Sequence, residues 1–88
     1  MSCEKHSLRV AGYDGTLQDL AKEVGNLRYD KIVEFLRALR NDLHEQALKD
    51  TSAGRTKLGA TLERASVALY PTEQALGEAW HISEPYMK

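Results

Sequence analysis

The sequence predicts an all-α domain, and three observations carry that prediction. Apolar residues recur every three or four positions over two long runs. No run alternates with period two, so a sheet has no signal to build on. The first long run holds no Gly or Pro, and Gly12, Gly15, Gly25, Gly54 and Pro85 stand outside the two runs, where chain reversals belong. The predicted architecture is a short first helix followed by an antiparallel hairpin of two long helices, pairing with a second copy as a four-helix bundle.

Residues 1–15 lack helical periodicity and end in the turn-like cluster Gly12-Tyr13-Asp14-Gly15, so a flexible arm is expected there. Residues 16–88 are expected to form one helical domain. Thr16 is a suitable N-cap because its hydroxyl can accept from a first-turn amide, and Asp19 three residues later completes a capping box with a shortened acid. Leu17, Leu20, Ala21 and Val24 give the first helix its apolar side. Gly25-Asn26 is expected to end it, since both residues tolerate the left-handed conformation of a C-cap.

The strongest periodic run extends from Arg28 to about Asp50. Tyr29, Ile32, Leu36, Leu39 and Leu43 are spaced three, four, three and four apart, and Phe35 and Ala47 widen the stripe. A helix of that length is about 34 Å long, more than a single small core requires. Thr51-Ser52-Ala53-Gly54 interrupts it, with Thr51 or Ser52 as candidate caps of the next helix and Gly54 as the turn. The second stripe is Leu58, Leu62, Ala65, Leu69, Leu76 and Trp80. Its phase survives Tyr70-Pro71, which predicts either one helix kinked at Pro71 or two helices meeting there. The preserved phase favours the kink, because proline removes one amide donor and crowds the preceding turn without resetting the period. Glu84-Pro85 then ends the helix.

Composition narrows the function classes. With 88 residues the chain holds one small domain whose own core is thin. No stretch approaches the roughly 20 apolar residues of a membrane span. The first ten residues carry Glu4, Lys5, His6 and Arg9 and no apolar segment, unlike a secretory signal. The lone Cys3 reads as a free thiol, and a cytoplasmic location is expected. The formal net charge of −1 conceals unlike parts: −1 over residues 1–27, +2 over 28–64, −3 over 65–87 and +1 from Lys88. An antiparallel hairpin lays the acidic end beside Arg28, Lys31, Arg37 and Arg40, which favours one register.

Catalytic signals are sparse, and no catalytic, cofactor or metal residue is assigned. Glu78-Ala-Trp-His81 has the Glu-x-x-His spacing of di-iron bundles. At 100° per residue, however, both ligands point away from the face set by Leu76 and Trp80. Only one copy of the motif is present per chain. Gly54-Arg-Thr-Lys-Leu-Gly59 has the glycine separation of a phosphate loop. It lacks the following Lys and Ser or Thr, and no strand precedes it. In Asp42-Leu43-His44-Glu45 adjacent side chains diverge around the helix. Helical pairs of Glu45 with Lys49 and of Glu34 with Arg37 account for those charges.

The leading expectation is a self-associating protein–protein interaction or regulatory module. Its contact residues are Ile32, Phe35, Leu36, Leu39, Leu43, Leu58, Leu62, Leu69, Leu76 and Trp80, the members of the two stripes most able to bury apolar area. Two alternatives come from other classes. The first is a small nucleic-acid-binding regulator with an anion patch of Arg37, Arg40, His44, Arg55, Lys57 and Arg64, without interleaved aromatics. Residues 16–33 also resemble a partial helix–turn–helix, but Asn26, Lys31 and Ile32 are out of register with its apolar positions. The second is a metal-binding helical-bundle enzyme around Glu78 and His81. Partners expected are a second copy and an unidentified protein, with no membrane and no cofactor.

Overall fold

The computed structural model describes residues 6–86 of the 88, so Cys3 and the Met87-Lys88 end lie outside the described residues. It contains three α-helices, α1 (Leu17–Gly25), α2 (Tyr29–Ser52) and α3 (Thr56–Ser83), followed by a 3-10 turn at Glu84–Tyr86. The described residues form no strand. All substantial packing between α-helices is between α2 and α3, which form the antiparallel hairpin.

The N-terminus of α1 is a complete capping box. The Thr16 hydroxyl accepts from the Asp19 amide at 3.0 Å, and the Asp19 carboxylate accepts from the Thr16 amide at 3.1 Å. The C-terminus differs from expectation. Asn26 has φ −89°, and among the described residues only Gly12 and Gly54 have positive φ. A right-handed turn closes the helix instead, with the Asn26 amide donating to Lys22 and Glu23 carbonyls and the Leu27 amide to Val24. The left-handed cap was not needed because 3-10-type bonds already satisfy the last carbonyls.

The turn between α2 and α3 also corrects the sequence reading. Thr51 and Ser52 belong to the last turn of α2 rather than capping α3, and Arg55 occupies the N-cap position of α3. Gly54 makes the reversal at φ 90°, a conformation L side chains rarely adopt. Arg55 locks it, its amide donating to the Asp50 carbonyl and its guanidinium to the Asp50 carboxylate, both at 2.8 Å. Of the two forms foreseen around Pro71, a single helix is found, and α3 runs unbroken from Thr56 to Ser83.

The seam between α2 and α3 differs in character from the expected apolar one. Its most enclosed residues on α3 are Gly59, Ser66 and Glu73, seven apart, with Ile32 and Ala47 on α2. Gly59 marks a close approach. A Cβ there would lie 2.9 Å from the Ala47 carbonyl oxygen and 3.1 Å from the Thr51 amide, and it would overlap the Thr51 hydroxyl. Small residues at a seven-residue spacing let the backbones meet, and they also leave little apolar volume between them. No described side chain is fully buried, and the molecule is only 14 Å across in its thinnest direction, one layer of helices.

Candidate interaction surface

Helical geometry separates the hairpin into two unlike faces. Measured around α2 from Arg40, Arg37 and His44 fall to one side at about 60° and 40°, while Ile32, Leu39 and Phe35 fall to the other at about 80°, 100° and 140°. Around α3 from Ser66, Glu63 and Val67 lie with the first side, and Leu58, Leu62, Leu69 and Leu76 with the second. Because the helices run antiparallel, the like sides coincide. One face of the hairpin carries the paired charges, with Leu48, Val67 and Tyr70 exposed among them, and the opposite face carries the apolar stripes.

The polar face centres on a carboxylate that the sequence did not single out. Glu73 is 5% exposed. Its carboxylate accepts from Arg40 Nε at 2.6 Å and from Arg40 Nη2 at 3.3 Å, and Arg37 Nε stands 3.8 Å away. The Arg40 guanidinium stacks 4.1 Å from the Tyr70 ring centroid. Its hydrogen bonds to Glu73 hold its pKa above the ordinary arginine value, against the opposing effect of burial. The Ser66 hydroxyl donates to the Arg40 carbonyl at 3.0 Å, satisfying a polar group that is almost wholly enclosed. Further along, His44 Nδ1 and the Glu63 carboxylate are 2.6 Å apart. The hollow between these groups, about 190 Å³, is lined by Arg40, His44, Glu63 and Tyr70 among others. Its polar groups are hydrogen-bonded within the chain.

The expected anion patch is therefore distributed. Arg37 and Arg40 converge on Glu73, His44 on Glu63 and Arg55 on Asp50. Among the described residues no ion pair involves Lys57 or Arg64, which lie on the back of α3. The expected helical pairs also differ: Glu34 pairs with Lys31 at 3.3 Å rather than with Arg37, and among the described residues no ion pair joins Glu45 to Lys49. Glu78 and His81 are both exposed. Among the described residues no three His, Cys, Asp or Glu side chains gather as metal ligands would.

The apolar face collects the stripe residues. Ile32 is enclosed, and Leu36, Leu43, Leu62, Leu69, Leu76 and Trp80 are half-buried. Phe35, Leu39 and Leu58 remain 46%, 38% and 37% exposed. The short helix does not cover them, since α1 buries none of its own residues and packs substantially on neither long helix. Arg28 fixes the elbow between α1 and α2. Its guanidinium donates twice to Asp30, at 3.0 and 2.7 Å, and lies 5.1 Å from the Trp80 ring centroid. Those hydrogen bonds hold the Asp30 carboxyl below the usual aspartate range and raise the pKa of Arg28. At the other end of α1, the Tyr13 hydroxyl donates to Glu23 at 3.3 Å.

The sequence signal for the buried seam was present but of an unfamiliar kind. Gly59, Ser66, Glu73 and Trp80 stand seven apart, the spacing of one helix-contact position, yet three of the four are not apolar. No helix of the described chain is long and apolar enough to cross a membrane. No protein-family model, curated protein or solved structure matches the chain.

Proposed function

We propose that the chain is a small self-associating interaction module, in which the apolar faces of two α2–α3 hairpins pair to complete a four-helix bundle. The observation that carries this reading is the surface left over by the fold. The chain exposes 6831 Å². A compact monomer of its 9.9 kDa mass exposes about 5200 Å², so the surplus is about 1600 Å². Part of that surplus belongs to residues 6–16, nearly all of which are exposed. A standard interface needs only about 800 Å² from each partner. Phe35, Leu39 and Leu58 line one continuous face of a single helical layer, the form an isologous contact requires.

The mechanism is burial of shared apolar area, with the polar face turned outward. On that face Arg40 pairs internally with Glu73, and the His44 ring hydrogen-bonds the Glu63 carboxylate. Sedimentation equilibrium between 1 and 500 µM tests the reading. A mass near twice 9.9 kDa is expected for the natural chain, and a monomer mass is expected for Leu39→Asp with its helical content kept. Leu39 is the informative site because it is already part-exposed in the single chain, so a charge there damages the pairing more than the fold. A natural chain that stays monomeric throughout this range contradicts the proposal.

A further inference from the structure

We propose that the two hairpins pair with their turns at opposite ends, so that α2 packs on the α2 of the second copy and α3 on its α3. This rests on the pairing of hairpins proposed above and specifies which helices meet in it. Two single-layer hairpins joined through the same face admit two isologous arrangements. A two-fold axis along the helices puts both turns at one end and lays α3 over the other copy's α2. A two-fold axis across the helices puts the turns at opposite ends and lays each helix over its own counterpart.

The distribution of charge along the two helices separates these arrangements. On the apolar side of α3, no charged residue falls between about 40° and 160° from Ser66 along the whole helix. Glu73 lies in the seam, and Lys57, Glu63, Arg64 and Glu78 lie elsewhere around the helix. The apolar side of α2 is divided instead. Ile32, Phe35, Leu36, Leu39 and Leu43 occupy its first part. Gln46 and Asp50 follow on the same side, at about 120° and 80° from Arg40.

The seam fixes which residues stand level. Ser66 bonds the Arg40 carbonyl, Gly59 approaches the Ala47 carbonyl, and the Trp80 ring lies by Arg28. Turns at the same end therefore lay Leu58, Thr61 and Leu62 over Gln46 and Asp50 of the other copy. That contact sets leucines against polar side chains and strips water from a carboxylate. Turns at opposite ends remove the mismatch. With the axis at Leu69, midway along the α3 face, Leu58 and Leu62 lie opposite Ala79 and Leu76 of the second copy. Leu69 is level with the turn of α2 that carries Leu39, so the part-exposed Leu39 meets its own counterpart near the axis. Gln46 and Asp50 then come level with the beginning of the other α2, outside its apolar stretch. Apolar surface meets apolar surface along the whole of α3, and Leu58, 37% exposed in the single chain, is covered.

The distance between the two turns tests the arrangement. A nitroxide is attached at Ala53→Cys in a Cys3→Ser background, because Ala53 is exposed in the turn and lies outside the apolar face. The rise from Leu39 to Ala53 is about 21 Å, so turns at opposite ends hold the labels about 40–45 Å apart in a double electron–electron resonance measurement. Turns at the same end hold them within about 20 Å, since packed helices lie 8–10 Å apart. The long distance is expected in a sample that sediments as dimer. The short distance overturns the arrangement while leaving the pairing of hairpins intact, whereas a monomeric natural chain overturns both. A label that dissolves a dimer formed by the natural chain also overturns the arrangement, because it places the turn inside the contact.

Discussion

Replacing Gly59 by alanine sets a local gain against a tertiary loss, and the structure decides which is larger. In a helix interior alanine is favoured over glycine by about 1 kcal/mol. Against that, the new Cβ stands 2.9 Å from the Ala47 carbonyl oxygen, 3.1 Å from the Thr51 amide, and in overlap with the Thr51 hydroxyl. The Thr51 side chain can rotate away. The Ala47 carbonyl cannot, because it belongs to the α2 backbone, so the helices must separate along the seam they share. Forcing a methyl group into such a contact costs about 1–3 kcal/mol.

The net prediction for Gly59→Ala is destabilisation by about 1 kcal/mol, or a fall in Tm of about 4–8 °C for a chain this size. Gly77→Ala is the internal control, since a Cβ at Gly77 meets nothing within 4 Å. It keeps the helical gain alone and should raise Tm by a similar amount. Thermal unfolding followed by circular dichroism at 222 nm, at one fixed protein concentration, reads both. Adding Thr51→Ala to Gly59→Ala should recover part of the loss and not all of it. If Gly59→Ala raises Tm as Gly77→Ala does, the close approach of α2 and α3 is wrong.

Four further outcomes follow from the polar contacts. Glu73→Ala strands the enclosed Arg40 guanidinium and should lower Tm more than Arg37→Ala, since the Arg37 side chain is 56% exposed. The double variant Arg40→Ala with Glu73→Ala should lose less than the sum of its singles, and strict additivity in that thermal cycle argues against the pair. The Asp30 carboxyl is held below its unfolded value of about 3.9, so its contribution is present above that pH and is lost as pH falls through the folded value. Fluorescence of Trp80, the sole tryptophan, should therefore change in acid. Asp30→Asn should reproduce the change near pH 7, and a spectrum insensitive to both disconnects the elbow from Arg28. Tyr13 is shifted upward by burial and then by the Glu23 carboxylate. Its contribution holds below about pH 10 and fades as pH rises through the folded value, which ultraviolet titration against Tyr13→Phe reads as a missing late-ionising phenol.

What the sequence made legible was the part governed by local rules. Thr16 and Asp19 announce a cap because the capping box is a three-residue device, and the structure builds it as read. The stripe Tyr29 to Leu43 announces a long helix because periodicity is a property of one helix alone. The seam was legible only in part, because it is a property of two. Ranking apolar residues pointed to Leu58 and Leu62 as contact residues of the second stripe and passed over Gly59 between them. Backbone proximity placed Gly59 in the seam, turning Leu58 toward the open face. Glu73 belongs to the acidic end that the sequence lays beside Arg37 and Arg40, and the structure pairs it with both, but nothing in its neighbours in sequence reveals its burial. Its enclosure depends on Arg40, thirty-three residues away. The terminations at Asn26 and Arg55 misled for a similar reason, since several hydrogen-bonding schemes close a helix and the chain adopted ones that need no left-handed residue at Asn26 and no hydroxyl cap at Arg55. The apolar face itself, with Phe35 and Leu39, followed directly from the stripe. In the proposed assembly, what it faces depends on a second molecule.

That dependence makes mass in solution the most direct test of the central claim. Sedimentation equilibrium on the natural chain should give a species of twice 9.9 kDa that dissociates on dilution, and Leu39→Asp should give a folded monomer. A natural chain that remains a helical monomer at 500 µM would show that the exposed face of α2 and α3 is not where two copies meet.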